Sequence, residues 1–84
     1  MEYIIKYYYN GEKIENIYVS QAFGLDIFDI AKEALLESLK YNNLQIENNC
    51  LKNIELFQVG KDKPIYSATT YTLGMGFIIK PEDE

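Results

Sequence analysis

Four carboxylates, Asp26, Asp29, Glu33 and Glu37, recur at intervals of three and four residues, a spacing that gathers them on one side of an α-helix. Such a stripe can present negative charge to a basic partner, and carboxylates brought into a pocket can move protons. The same residues also have plainer duties. Asp26 and Asp29 fall where a helix macrodipole favours anions, and Lys40 falls where it favours a cation. The stripe is therefore weighted toward a solvated helix face, with Asp29, Ile30, Glu33, Leu36 and Glu37 as the residues a partner would meet there. Calcium is not expected on it, because the alternating oxygen ligands of a calcium loop are missing.

A second candidate lies in Ala68 to Gly76, ATTYTLGMG. The hydroxyls of Thr70 and Thr72, with Gly74 and Gly76, could hold an anion through backbone N–H groups. Neither the Lys-Ser/Thr pair of a P-loop nor a following helix accompanies them. Glycines inside a strand more often mark a bulge or a close backbone approach. Cys50 stands alone, cannot form an internal disulfide, and reads as a small buried hydrophobe.

The missing residue types exclude more than the present ones suggest. There is no histidine, so the commonest general base, the commonest metal ligand and the Ser-His and Cys-His nucleophile pairs are absent. An enzyme is not expected, nor is a metal or other cofactor. All eight cationic residues are lysine, and thirteen carboxylates bring the net charge to −5. Without arginine to read phosphate or guanine bidentately, an acidic chain is a poor nucleic-acid binder.

These side chains have to be carried by something, and the tyrosines show what. Five of the eight, Tyr3, Tyr7, Tyr8, Tyr9 and Tyr18, lie in two runs rich in β-branched and aromatic residues, EYIIKYYY and IENIYVS, separated by Asn10-Gly11. Asn-Gly between such runs predicts a two-residue hairpin turn. That turn fixes a register in which Tyr9 faces Glu12, Tyr7 faces Ile14, Ile5 faces Asn16 and Tyr3 faces Tyr18 on one side. Tyr8 faces Lys13, Lys6 faces Glu15, Ile4 faces Ile17 and Glu2 faces Val19 on the other. The first side is expected beneath a helix, with Tyr3, Tyr7 and Tyr18 in the core. The second is expected outward, with Lys6, Tyr8, Lys13 and Glu15 as partner-binding residues.

From Asp26 to about Tyr41 the apolar period becomes helical, with Asp26 as N-cap and Ile27, Phe28, Ala31, Ala34, Leu35 and Leu39 as the apolar stripe. Ile30 and Leu36 flank the acidic side and should stay partly wet. Asn42 to Asn49 reads as turn. Leu51 to Val59 and Ile65 to Leu73 read as two more strands around Gly60 to Pro64. In the first of these, Ile54 and Leu56 point one way and Leu51, Phe57 and Val59 the other. Gly74-Met75-Gly76 interrupts the last strand, and 81–84 form a short acidic tail.

The expected architecture is thus one α+β domain over 1–84, β-β-α-β-β, a four-stranded antiparallel sheet with one helix on one face. A sheet apolar on both sides but served by one helix asks for a second cover, which predicts a homodimer or a docked protein partner. No apolar run is long enough to span a membrane, and the lone cysteine suits a reducing cytoplasmic setting. Abundant Ile, Asn, Lys and Tyr fit a low-GC bacterium, its phage or a plasmid. The expected function is a small acidic, non-enzymatic protein that binds and modulates or inhibits another protein, of a phage- or plasmid-encoded anti-host-defence kind. The alternative is an oligomer that binds or sequesters a small molecule, such as a nucleotide, between subunits through Thr70, Thr72, Gly74 and Gly76.

Overall fold

The structure, a computed structural model, describes residues 1–20, 26–47, 50–72 and 74–79. The 81–84 tail and Leu73 lie outside the described residues. Two eight-residue strands, β1 (Glu2–Tyr9) and β2 (Glu12–Val19), form the expected hairpin. Asn10 and Gly11 take φ values of 49° and 85°, the left-handed pair that matches the twist of the flanking strands. With that turn the register runs from Tyr9 opposite Glu12 to Glu2 opposite Val19, as the sequence implies.

Helix α1 (Ile27–Tyr41) starts where Asp26 accepts a hydrogen bond from the backbone N–H of Asp29 at 2.9 Å. It stops in a Schellman motif: Asn43 turns left-handed at φ 58°, its N–H reaches the Lys40 carbonyl, and the Leu44 N–H reaches that of Leu39. The helix lies against β1 and β2 and touches β4. Beneath it Tyr3, Ile5, Tyr7 and Tyr18 meet Ile30, Ala31, Ala34, Leu35 and Leu39. Two alanines in the helix face leave room for tyrosine rings.

The buried arc of α1 is wider than the apolar stripe. Ile30, expected on the wet flank, is only 8% exposed, and Ser38 lies buried in the middle of the arc. Ile27 and Phe28, expected in the core, overhang in the first turn, and Phe28 remains 43% exposed. The Phe28 ring packs edge-on against Tyr66 and Phe77 at 6.0 and 5.4 Å instead.

Strand β3 (Leu51–Gln58) pairs with β1, and β4 (Tyr66–Ala68) pairs with β3, giving the antiparallel order β2-β1-β3-β4. The expected single strand over 65–73 is broken at Thr69. Beyond it, β5 (Thr70–Thr72) leaves the sheet and forms its own hairpin with β6 (Gly76–Ile78). Gly74 and Gly76, at φ 87° and 77°, shape the turn between them. Tyr71 and Phe77, 4.9 Å apart, anchor this hairpin, and Phe77 meets Tyr66 at 5.3 Å.

Candidate interaction surface

Strict alternation would turn Leu51 away from the helix, on the side of Phe57. The structure buries it completely. Between β1 and β3 the pairing passes from Lys6 opposite Glu55 to Tyr8 opposite Lys52, so Asn53 and Ile54 together oppose Tyr7. This β-bulge carries Asn53 at φ 52°, a conformation asparagine tolerates better than most residues. The inserted residue flips the facing of everything before it. Leu51 joins Ile54 and Leu56 in the core, and Lys52 joins the opposite side.

The sheet face away from α1 is consequently ordered into rows across the strands. Lys13, Tyr8 and Lys52 form a basic row around one aromatic ring. Next come Glu15, Lys6, Glu55 and Ser67, with the lysine between two carboxylates. A third row is apolar: Ile17, Ile4 and Phe57. Lys6 Nζ stands 4.6 Å from the centroid of the Phe57 ring, a cation-π contact that ties the charged row to the apolar one. Ile17 is 69% exposed and Val19, one row further on, 52%. Beside the bulge a concavity of about 530 Å³ opens on this face, bordered by Tyr8, Asn53, Glu55, Ser67, Thr69 and Ile79.

All four residues expected to bind a partner from the sheet, Lys6, Tyr8, Lys13 and Glu15, lie in these two charged rows. Ile4, Ile17 and Phe57 complete the surface. The hairpin register already placed Ile4 against Ile17, so their omission came from favouring charged residues. Phe57, which alternation sets opposite Ile54 and Leu56, lies on this face, half-buried.

The helix side presents a different picture. Asp29, Leu36 and Glu37 are exposed, but Ile30 belongs to the core and is removed from the candidate surface. The buried arc is wider than a narrow apolar stripe because β1, β2 and β4 all reach the helix. Glu33 accepts a 2.6 Å hydrogen bond from the Tyr18 hydroxyl, so its carboxylate anchors helix to hairpin. Burial, that bond and the Glu33 and Glu37 charges push the Tyr18 phenol up to about 12. A groove of about 270 Å³ runs between β2 and α1 along Tyr18, Glu37 and Tyr41.

Ser38 builds a polar seam in that core. Its hydroxyl bonds the Tyr7 hydroxyl at 2.7 Å and donates to Asn16 Oδ1, which also accepts from the Asn42 amide at 3.0 Å. Sequence reasoning passed over Ser38, although its spacing of four from Ala34 and three from Leu35 puts it on the buried face.

The Thr70–Gly76 region is built as structure. The Thr70 hydroxyl donates to the Leu51 carbonyl at 2.6 Å, and Gly74 and Gly76 serve the β5–β6 turn. Thr72 Oγ1 is buried with no hydrogen-bond partner among the described residues. Cys50 is buried, and desolvation together with the nearby Glu47 carboxylate raises its thiol pKa. Among the described residues no group of three or more His, Cys, Asp or Glu is arranged to hold a metal ion, and no helix is long and apolar enough to cross a membrane. Comparison with protein families, curated proteins and solved structures finds no match.

Proposed function

We propose that this chain is a non-enzymatic binding protein that acts on another protein through the sheet face opposite its helix. The observation that carries this reading is the Ile17-Ile4-Phe57 row with Val19 beside it. These apolar side chains stand partly or largely exposed on a strand-built surface, bordered by a row that alternates charge. Rigid strands present the surface without an ordering cost, which suits recognition. Its charges specify a partner with a complementary pattern: carboxylates opposite the Lys13-Tyr8-Lys52 row and an apolar patch opposite Ile17, Ile4 and Phe57.

Affinity capture with the wild-type chain and with an Ile17→Lys/Phe57→Ser variant of unchanged circular dichroism tests this. A protein retained by wild type and lost by the variant supports the face. Retention by this variant, with loss on Leu36→Lys instead, transfers the binding to the helix and sinks the proposal.

A further inference from the structure

Strand β2 is an edge of the sheet along its whole eight-residue length, and its free side is ordered for pairing. Met1 and Ser20 exchange both backbone hydrogen bonds, N–H of Ser20 to the Met1 carbonyl at 3.0 Å and the Met1 amino group to the Ser20 carbonyl at 3.2 Å. In an antiparallel ladder such pairs alternate with non-bonded ones. Tyr3 with Tyr18, Ile5 with Asn16, Tyr7 with Ile14 and Tyr9 with Glu12 are therefore the bonded pairs. The N–H and C=O groups of Lys13, Glu15, Ile17 and Val19 point the other way, to the open edge, and meet no hydrogen-bond partner among the described residues.

We infer that β2 pairs antiparallel with β2 of a second copy of this chain, about a two-fold axis at Ile14, setting Lys13 of each copy against Glu15 of the other. The outward-pointing residues must face one another in bonded pairs, so only a few registers exist. Centring on Lys13 opposes two lysines, and centring on Glu15 opposes two glutamates, both repulsive. Centring on Asn16 sets Glu15 against Ile17 and Lys13 against Val19, which compensates no charge. Centring on Ile17 aligns 15 to 19, as many residues as centring on Ile14 aligns over 12 to 16, but it sets Glu15 against Val19 and compensates no charge. Centring on Ile14 satisfies the charges twice and places two half-buried Ile14 side chains together on the helix side.

Such a dimer joins two four-stranded sheets into one. Both helices fall on one side, and both copies of the outer face fall on the other. It also shortens the exposed edge by pairing the outward backbone groups of Lys13 and Glu15. This inference goes beyond the proposed function and does not rest on it: it is argued from the free backbone edge of β2, although Lys13 and Glu15 also stand in the charged rows of the outer face.

The test is solution mass by sedimentation equilibrium across a concentration series, for wild type, Lys13→Glu, Glu15→Lys, the double exchange, and an equimolar mixture of the two single variants. Wild type should dimerise. Each single variant should weaken the dimer by about tenfold or more through two like-charge contacts, with the fold intact by circular dichroism. The double exchange should recover the dimer, and the mixture should form a heterodimer tighter than either component's own weakened homodimer. A monomeric wild type overturns the inference. So does a dimer indifferent to both single variants, or one not recovered by exchange or mixing, since either outcome puts the interface elsewhere. Partner capture by the outer face is read separately with Phe57→Ser alone, since Phe57 lies two strands from this edge.

Discussion

The backbone N–H of Asn53 donates to the carbonyl of Thr69 at 2.9 Å, joining the bulge of β3 to the point where the chain leaves the sheet. One residue further along, the Thr70 hydroxyl closes onto the Leu51 carbonyl on the other side of the bulge. These two bonds hold together the two irregularities of the sheet. Together they set which of the β3 side chains enter the core and which reach the outer face.

Asn53 is the residue on which this arrangement turns. Asn53→Val should destabilise the chain by about 1–3 kcal/mol, since a β-branched residue is strained at positive φ. Asn53→Gly relieves the strain and should stay within about 1 kcal/mol of wild type. Urea unfolding of the pair checks this, and equal losses in both would show that the asparagine side chain, not the backbone, matters.

Leu51 and Val59 separate the bulged register from simple alternation. Leu51→Ala should cost about 2–5 kcal/mol because the side chain is fully enclosed, whereas Val59→Ala on the exposed side should change stability by no more than about 0.5 kcal/mol. Equal small effects in thermal melts would mean that Leu51 faces solvent.

The phenol of Tyr18 gives a signature in alkali. Its pKa rises from 10.0 to about 12 on folding, with burial and Glu33 as causes, so the fold favours the protonated form. That stabilisation is complete below pH 10.0, where both states are protonated, and is lost as pH climbs from 10.0 through about 12. Wild type should lose stability over that window more steeply than Tyr18→Phe, measured as denaturation midpoint against pH. Parallel curves would count against the Glu33 bond.

Asp26→Ala should lower stability by about 1 kcal/mol through the loss of its bond to the Asp29 N–H, while Asp26→Ser should retain most of it. Chemical denaturation distinguishes the two, and a cost shared by both would point to charge at the helix N-terminus in place of capping.

Much of the outer face was legible from the chain alone. Asn10-Gly11 permits one tight turn, that turn fixes one register, and the register puts Lys6, Tyr8, Lys13 and Glu15 together with Ile4 and Ile17. What escaped was the contribution of β3. Lys52 reaches the surface only because of an extra residue in the ladder, and Asn53 in a run of strand-forming residues gives a faint sign of it. Ile30 was misplaced because a helical projection sets it at the border between Ala34 and Glu37, whereas burial depends on how many elements press against the helix.

By itself the sequence determined the hairpin, its register, the inward tyrosines, and the helix with its Asp26 cap. Each of these rests on interactions within a few residues or across one turn. The tertiary structure alone decided the strand order, the bulge at Asn53, the break at Thr69 with its added hairpin, and the burial of Leu51, Ile30 and Ser38. Those outcomes depend on partners brought together from distant parts of the chain, whose packing overrides the alternation that local pattern implies.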